Sequence, residues 1–96
     1  MSDGQKVEIK LDEQLDASVK LIGIFIHDFP NSFIWLVTLE LTEDGQKTRV
    51  DVRYDAGKCI FIDPIPQLEH ERACRIAEQF TKLCYAKSAQ WFKDAK

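Results

Sequence analysis

The chain has 96 residues, enough for one domain with one hydrophobic core, because a chain of this size buries only about 60–68% of its unfolded surface. Hydrophobic residues make up 45% and aromatics 10%, which suffices to fold without staples. The net charge is −3 with Lys and Arg scattered singly, which excludes a sequence-independent grip on nucleic acid or an anionic membrane, since both need clustered cations.

Cys59, Cys74 and Cys84 are an odd number without CxxC spacing, and all fall in apolar stretches. That usage fits a reducing cytoplasm. The first ten residues, MSDGQKVEIK, carry no secretory signal. No apolar run approaches the ~20 residues that span a bilayer.

Residues 1–5 read as a frayed tail. Residues 6–11 alternate strictly, with Val7, Ile9 and Leu11 opposite Lys6, Glu8 and Lys10, which predicts a half-buried strand. A bend or short turn is expected over residues 12–17 and a strand over 19–28. The three- and four-residue steps of Leu15, Val19, Ile22, Ile26 and Phe29 also allow a helix there, but the stretch is rich in β-branched and aromatic residues and contains Gly23. Pro30 and Asn31 turn the chain into another apolar strand, over residues 33–42. Asp44-Gly45 is the strongest hairpin signal in the chain, because a type I′ turn needs positive φ at both central positions. A two-residue turn there sets Leu39 opposite Val50, Val37 opposite Val52 and Trp35 opposite Tyr54, in agreement with the alternation over residues 48–55.

Asp55-Ala56-Gly57 makes the next turn, and residues 58–63 supply a fifth strand of open register. Either Cys59 and Phe61 or Ile60 and Ile62 face inward. After Pro64-Ile65-Pro66 the pattern is helical to the end. Glu69 and Glu71 suit the positive pole of the helix dipole, and Ala73, Ile76, Ala77, Phe80, Leu83, Cys84 and Trp91 share one stripe. Lys87 interrupts that stripe, so the helix ends or bends near residues 86–88, or the lysine snorkels. The expected class is α+β: a mostly antiparallel sheet of four or five strands, in β-β-β-β-β-α order, with one long C-terminal helix on one face.

The sequence around His70, Glu-His-Glu-Arg-Ala-Cys, comes within one side chain of the His-Glu-x-x-His zinc motif. Cys74 is a competent ligand four residues after His70, but nothing places a third ligand, whether His27, Asp63 or Glu69, beside them. His27-Asp28 could form an oriented base, although the adjacent Phe29-Pro30-Asn31 reads first as a hairpin end. No serine sits in a nucleophile elbow and no glycine-rich loop is present. No catalytic residue, metal site or cofactor is assigned.

Trp35 and Tyr54, as cross-strand partners, could floor a ligand pocket or form one more stabilising pair. The strands at residues 19–28 and 33–38 are apolar on both faces, and a single helix cannot cover both. A second copy, a sheet curled on itself, residues 12–18 or a ligand must cover what remains. The expectation is a homodimer with Ile22, Ile24, Ile26, Ile34 and Leu36 at its interface, taking a small apolar ligand or a protein partner but neither nucleic acid nor membrane. The functional expectation is a self-associating binding module without catalytic activity. The alternative is a small enzyme or metal-binding protein using a sheet–helix pocket with His27, Asp28, His70 or Cys74.

Overall fold

Asp44 and Gly45 take φ of 52° and 81° in the computed structural model, which describes residues 4–93. The two-residue turn they form fixes the register between β3 (Ile34–Glu43) and β4 (Gln46–Asp55). Leu39 pairs with Val50, Val37 with Val52 and Trp35 with Tyr54, as the turn and the alternation jointly require. Val37, Leu39, Val52 and Tyr54 are buried, while Leu36, Asp51 and Arg53 point to the other face.

The turn expected over residues 12–17 is confined to its end: β1 (Gln5–Asp16) continues through residue 16, taking up its irregularity as slips of register between Lys10 and Glu13 and between Gln14 and Asp16, and the chain turns at Ala17 and Ser18. Leu15 is thereby kept on the buried side, and the Asp16 side chain caps the tight turn by accepting from the Ser18 N–H at 2.9 Å. The expected tail is shorter than residues 1–5, since Gln5 already pairs with Phe29; residues 1–3 lie outside the described residues.

β2 (Val19–Phe29) resolves the doubly apolar pattern in a way that alternation alone cannot express. Val19 and Leu21 pair with Leu41 and Leu39, and then the register to β3 shifts by one residue at Ile22–Gly23. Beyond this bulge, Ile24 and Ile26 take the face that Val19 and Leu21 held before it. One extra residue exchanges the two faces of a strand, so the odd positions Val19 and Leu21 and the even positions Ile24 and Ile26 enter a single core. Ile24 and Ile26 are almost wholly buried inside the chain, so their expected place at an interface is corrected.

The fifth strand is shorter than residues 58–63. β5 (Ile60–Phe61) pairs Ile60 with Asp55 and Phe61 with Tyr54, completing an antiparallel sheet in sequential order. The turn before it is held by Asp55, whose carboxylate accepts from the N–H groups of Gly57 and Lys58, and Cys59 adopts φ 59°. This register turns Phe61 inward and Ile60 outward. α1 (His70–Lys93) then lies across one face of the sheet and buries Ile76, Ala77 and Phe80. Lys87 does not end the helix: it reaches past the apolar stripe to Glu13 of β1 at 2.9 Å. The fold is α+β, with five antiparallel strands followed by one helix.

Candidate functional site

Trp35 and Tyr54 stand side by side, ring centroids 5.9 Å apart, but under the helix. The Tyr54 ring meets Phe80 edge-on at 4.6 Å, and Trp35 meets Phe80 at 6.5 Å and Phe92 at 5.7 Å. These contacts make them the aromatic centre of the sheet–helix core. The Thr81 hydroxyl donates to the Ala77 carbonyl at 2.8 Å, which spends its only hydrogen, so the Tyr54 phenol donates to Thr81 Oγ1 across 2.5 Å. Burial pushes the Tyr54 phenol well above its ordinary range and keeps it a donor. Neither Trp35 nor Tyr54 lines the concavity described next.

That concavity lies between residues 59–65 and the first three turns of α1 and encloses about 740 Å³, within the ~300–1,000 Å³ typical of ligand pockets. One wall is built by Asp63. Its carboxylate accepts from the Arg53 backbone N–H at 3.0 Å and from the Arg53 guanidinium at 2.7 Å, which pins the chain after β5 against the edge of β4. Those hydrogen bonds hold the Asp63 carboxyl below the usual range. Ile65 is buried, and its carbonyl accepts from the Leu68 N–H, so the Pro-Ile-Pro segment is anchored at its centre. The opposite wall is the helix, where Ala73 and Ala77 are too small to fill the space. Phe61, Ile65 and Leu68 make the lining mainly apolar.

The polar groups at this groove are few. His70 Nε2 and Cys74 Sγ are 3.7 Å apart, one helical turn from each other, and both are exposed. His27 is not near them: it sits on the uncovered face of β2, stacked on Phe25 with centroids 6.3 Å apart. Asp28 takes φ 69° and turns the chain, its carbonyl accepting from the Asn31 N–H at 2.8 Å. The four candidates of the alternative reading are therefore divided between two faces of the sheet. Among the described residues no group of three His, Cys, Asp or Glu side chains is placed to hold a metal ion. Cys84, behind the groove, has its thiol pushed up to about 12 by burial and by the neighbouring Cys59.

A second feature occupies the uncovered face of the sheet. The ladders place Phe25, Leu36 and Arg53 in one row and Ile34, Asp55 and Ile60 in the next, and the Ile62 N–H donates to the Arg53 carbonyl. Ile60 is 49% exposed, Ile34 and Ile62 41% and Leu36 36%, while Phe33, 70% exposed, lies in the bend before β3 and outside these rows. Of the five residues expected at an interface, Ile34 and Leu36 belong to this patch, Ile22 is half-buried at the bulge, and Ile24 and Ile26 are core. The sequence reading offered a sheet–helix pocket with His70 or Cys74 only as its alternative, and the wall of residues 59–65 and the contribution of Ile60 and Ile62 escaped it because the register of β5 was open. The two prolines flanking Ile65 were the only local sign of a fixed wall.

No protein-family model, curated protein or solved structure matches the chain. Among the described residues, no helix is long and apolar enough to cross a membrane.

Proposed function

We propose that the chain is a non-catalytic binding module that works as a homodimer and offers an apolar surface to a protein partner or a small apolar ligand. The observation that carries the binding surface is the exposed patch of Ile34, Leu36, Ile60 and Ile62 on the uncovered sheet face, and the self-association draws on the unpaired edge of β1. Clustered aliphatic side chains on an otherwise charged sheet face favour a contact surface. The groove beside Phe61 and Ile65 adjoins the patch through Ile60 and Ile62, so a ligand or partner segment can use both. Three free thiols support a reducing cytoplasm as its compartment.

The test uses anilinonaphthalene sulfonate, a dye that brightens on apolar surfaces. The native chain enhances its emission, and the Leu36→Asp/Ile62→Asp variant, with an unchanged thermal midpoint, loses most of that enhancement. Full enhancement by the folded variant would refute the reading. A second reading, metal binding at the groove, is favoured only by the His70–Cys74 separation of 3.7 Å. It requires zinc to bind the purified chain and the Cys74→Ala variant to lose it.

A further inference from the structure

We infer that two copies of the chain join along the free edge of β1, antiparallel and centred on Ile9, so that their sheets become one. This rests on the reading that the chain self-associates, and it names the surface responsible. β1 is terminal in the sheet order, and over Val7, Glu8, Ile9 and Lys10 its ladder to β2 is unbroken. No described strand pairs with its other edge. An open edge of this length is a template for strand addition unless something opposes it.

Charges are the usual guard on such an edge, and here they invite the chain's own copy. Lys6, Glu8, Lys10 and Asp12 are exposed and alternate in sign. Turned about Ile9, Glu8 meets the other copy's Lys10, and Lys6 meets Asp12, each pair occurring twice by symmetry. Centring on Glu8 would set Lys6 against Lys10 and Glu8 against itself. Centring on Lys10 would set Glu8 against Asp12. Centring on Leu11 calls on Asp16, which Arg72 already holds at 3.2 Å, and falls on the slip between Lys10 and Glu13. Register about Ile9 alone sets opposite charges, Glu8 and Lys10, against each other within the unbroken residues Val7–Lys10; Lys6 and Asp12 lie at the slips on either side. Among the described residues, Lys6, Glu8 and Lys10 have no ion partner within the chain, and Asp12, though 3.1 Å from Lys20, remains 81% exposed. On the helix side the same register sets the buried Ile9 against its copy, extending the core across the joint. β1 and β5 are opposite ends of the sheet, so the apolar patch stays free on both copies.

Sedimentation equilibrium of the full chain tests this. Glu8→Lys alone or Lys10→Glu alone faces like charges twice and weakens the dimer about tenfold or more. Mixing the two single variants restores dimerisation, because each supplies the charge the other lacks, and so does the double variant Glu8→Lys/Lys10→Glu. Thermal melts of each variant confirm folding. A dimer indifferent to both single substitutions, or a mixture that stays monomeric, overturns the edge pairing. If that indifferent dimer is broken by Leu36→Asp, self-association stands and only its location is wrong. A native chain that is monomeric at high micromolar concentration removes both.

Discussion

Asp16 is held by a base that arrives 56 positions later in the chain. Arg72, on the first turn of α1, reaches its carboxylate at 3.2 Å and also bonds the Ser18 hydroxyl, tying the start of the helix to the β1–β2 turn. Burial alone would raise this carboxyl, but the hydrogen bonds from Arg72 and the Ser18 N–H, together with the guanidinium charge, outweigh it and hold the group below its ordinary value. A folded value below the unfolded one means that the stabilisation is complete at neutral pH. It is lost as pH falls through and below about 4. Urea midpoints measured between pH 6 and pH 3 should therefore fall less steeply for Asp16→Asn than for the native chain, while Arg72→Ala costs roughly 1 kcal/mol at neutral pH, modest because both side chains keep some solvent contact. No local pattern could announce this pair, since each partner read alone is an ordinary surface charge.

The best-read element is the β3–β4 hairpin, because turn chemistry and pleat alternation are both local and both demanded the same register. Its dependence on Gly45 is testable. The residue has φ 81° with nothing within 4 Å of a Cβ placed on it, so Gly45→Ala meets backbone strain and no clash. The expected loss is about 1–2 kcal/mol, seen as a lower thermal midpoint with the folded spectrum unchanged. β2 was legible as a strand but not in its bulge. Gly23 hinted at an irregularity, yet the one-residue shift is defined only against β3, whose pairing the sequence of β2 does not contain. β5 shrank to two residues for a related reason. Asp55 uses its carboxylate on the turn and Asp63 uses its own on Arg53, and together these bonds set where pairing begins and ends.

At the scale of the whole molecule, the bulge decides which apolar residues are core and which remain on the surface. Ile24 is 1% exposed, and Ile24→Asp places an unpaired charge among Val37, Val52 and their neighbours. Such a change costs more than about 4 kcal/mol, so this variant should lose its cooperative thermal transition. Ile24 thus answers to the core and not to the dimer interface expected from the sequence. Leu36→Asp, on the uncovered face one strand away, should shift stability by less than about 1 kcal/mol. Circular-dichroism melts of the two variants separate core from surface directly. A patch of Ile34, Leu36, Ile60 and Ile62 survives the correction, smaller than the two full faces that the alternation suggested and displaced toward β5.

The sequence by itself determined the α+β class, the antiparallel order, the β3–β4 register and the buried stripe of the helix. Each follows from periodicity or turn chemistry within a few neighbouring residues, where the physics is local. Only the tertiary structure decided which face Ile24 and Ile26 occupy, that Trp35 and Tyr54 pack under Phe80, and that a groove opens between residues 59–65 and α1. Those outcomes depend on register between separate strands and on long side chains such as Arg72 and Lys87 finding partners far along the chain, and such contacts exist only once the sheet and helix have come together.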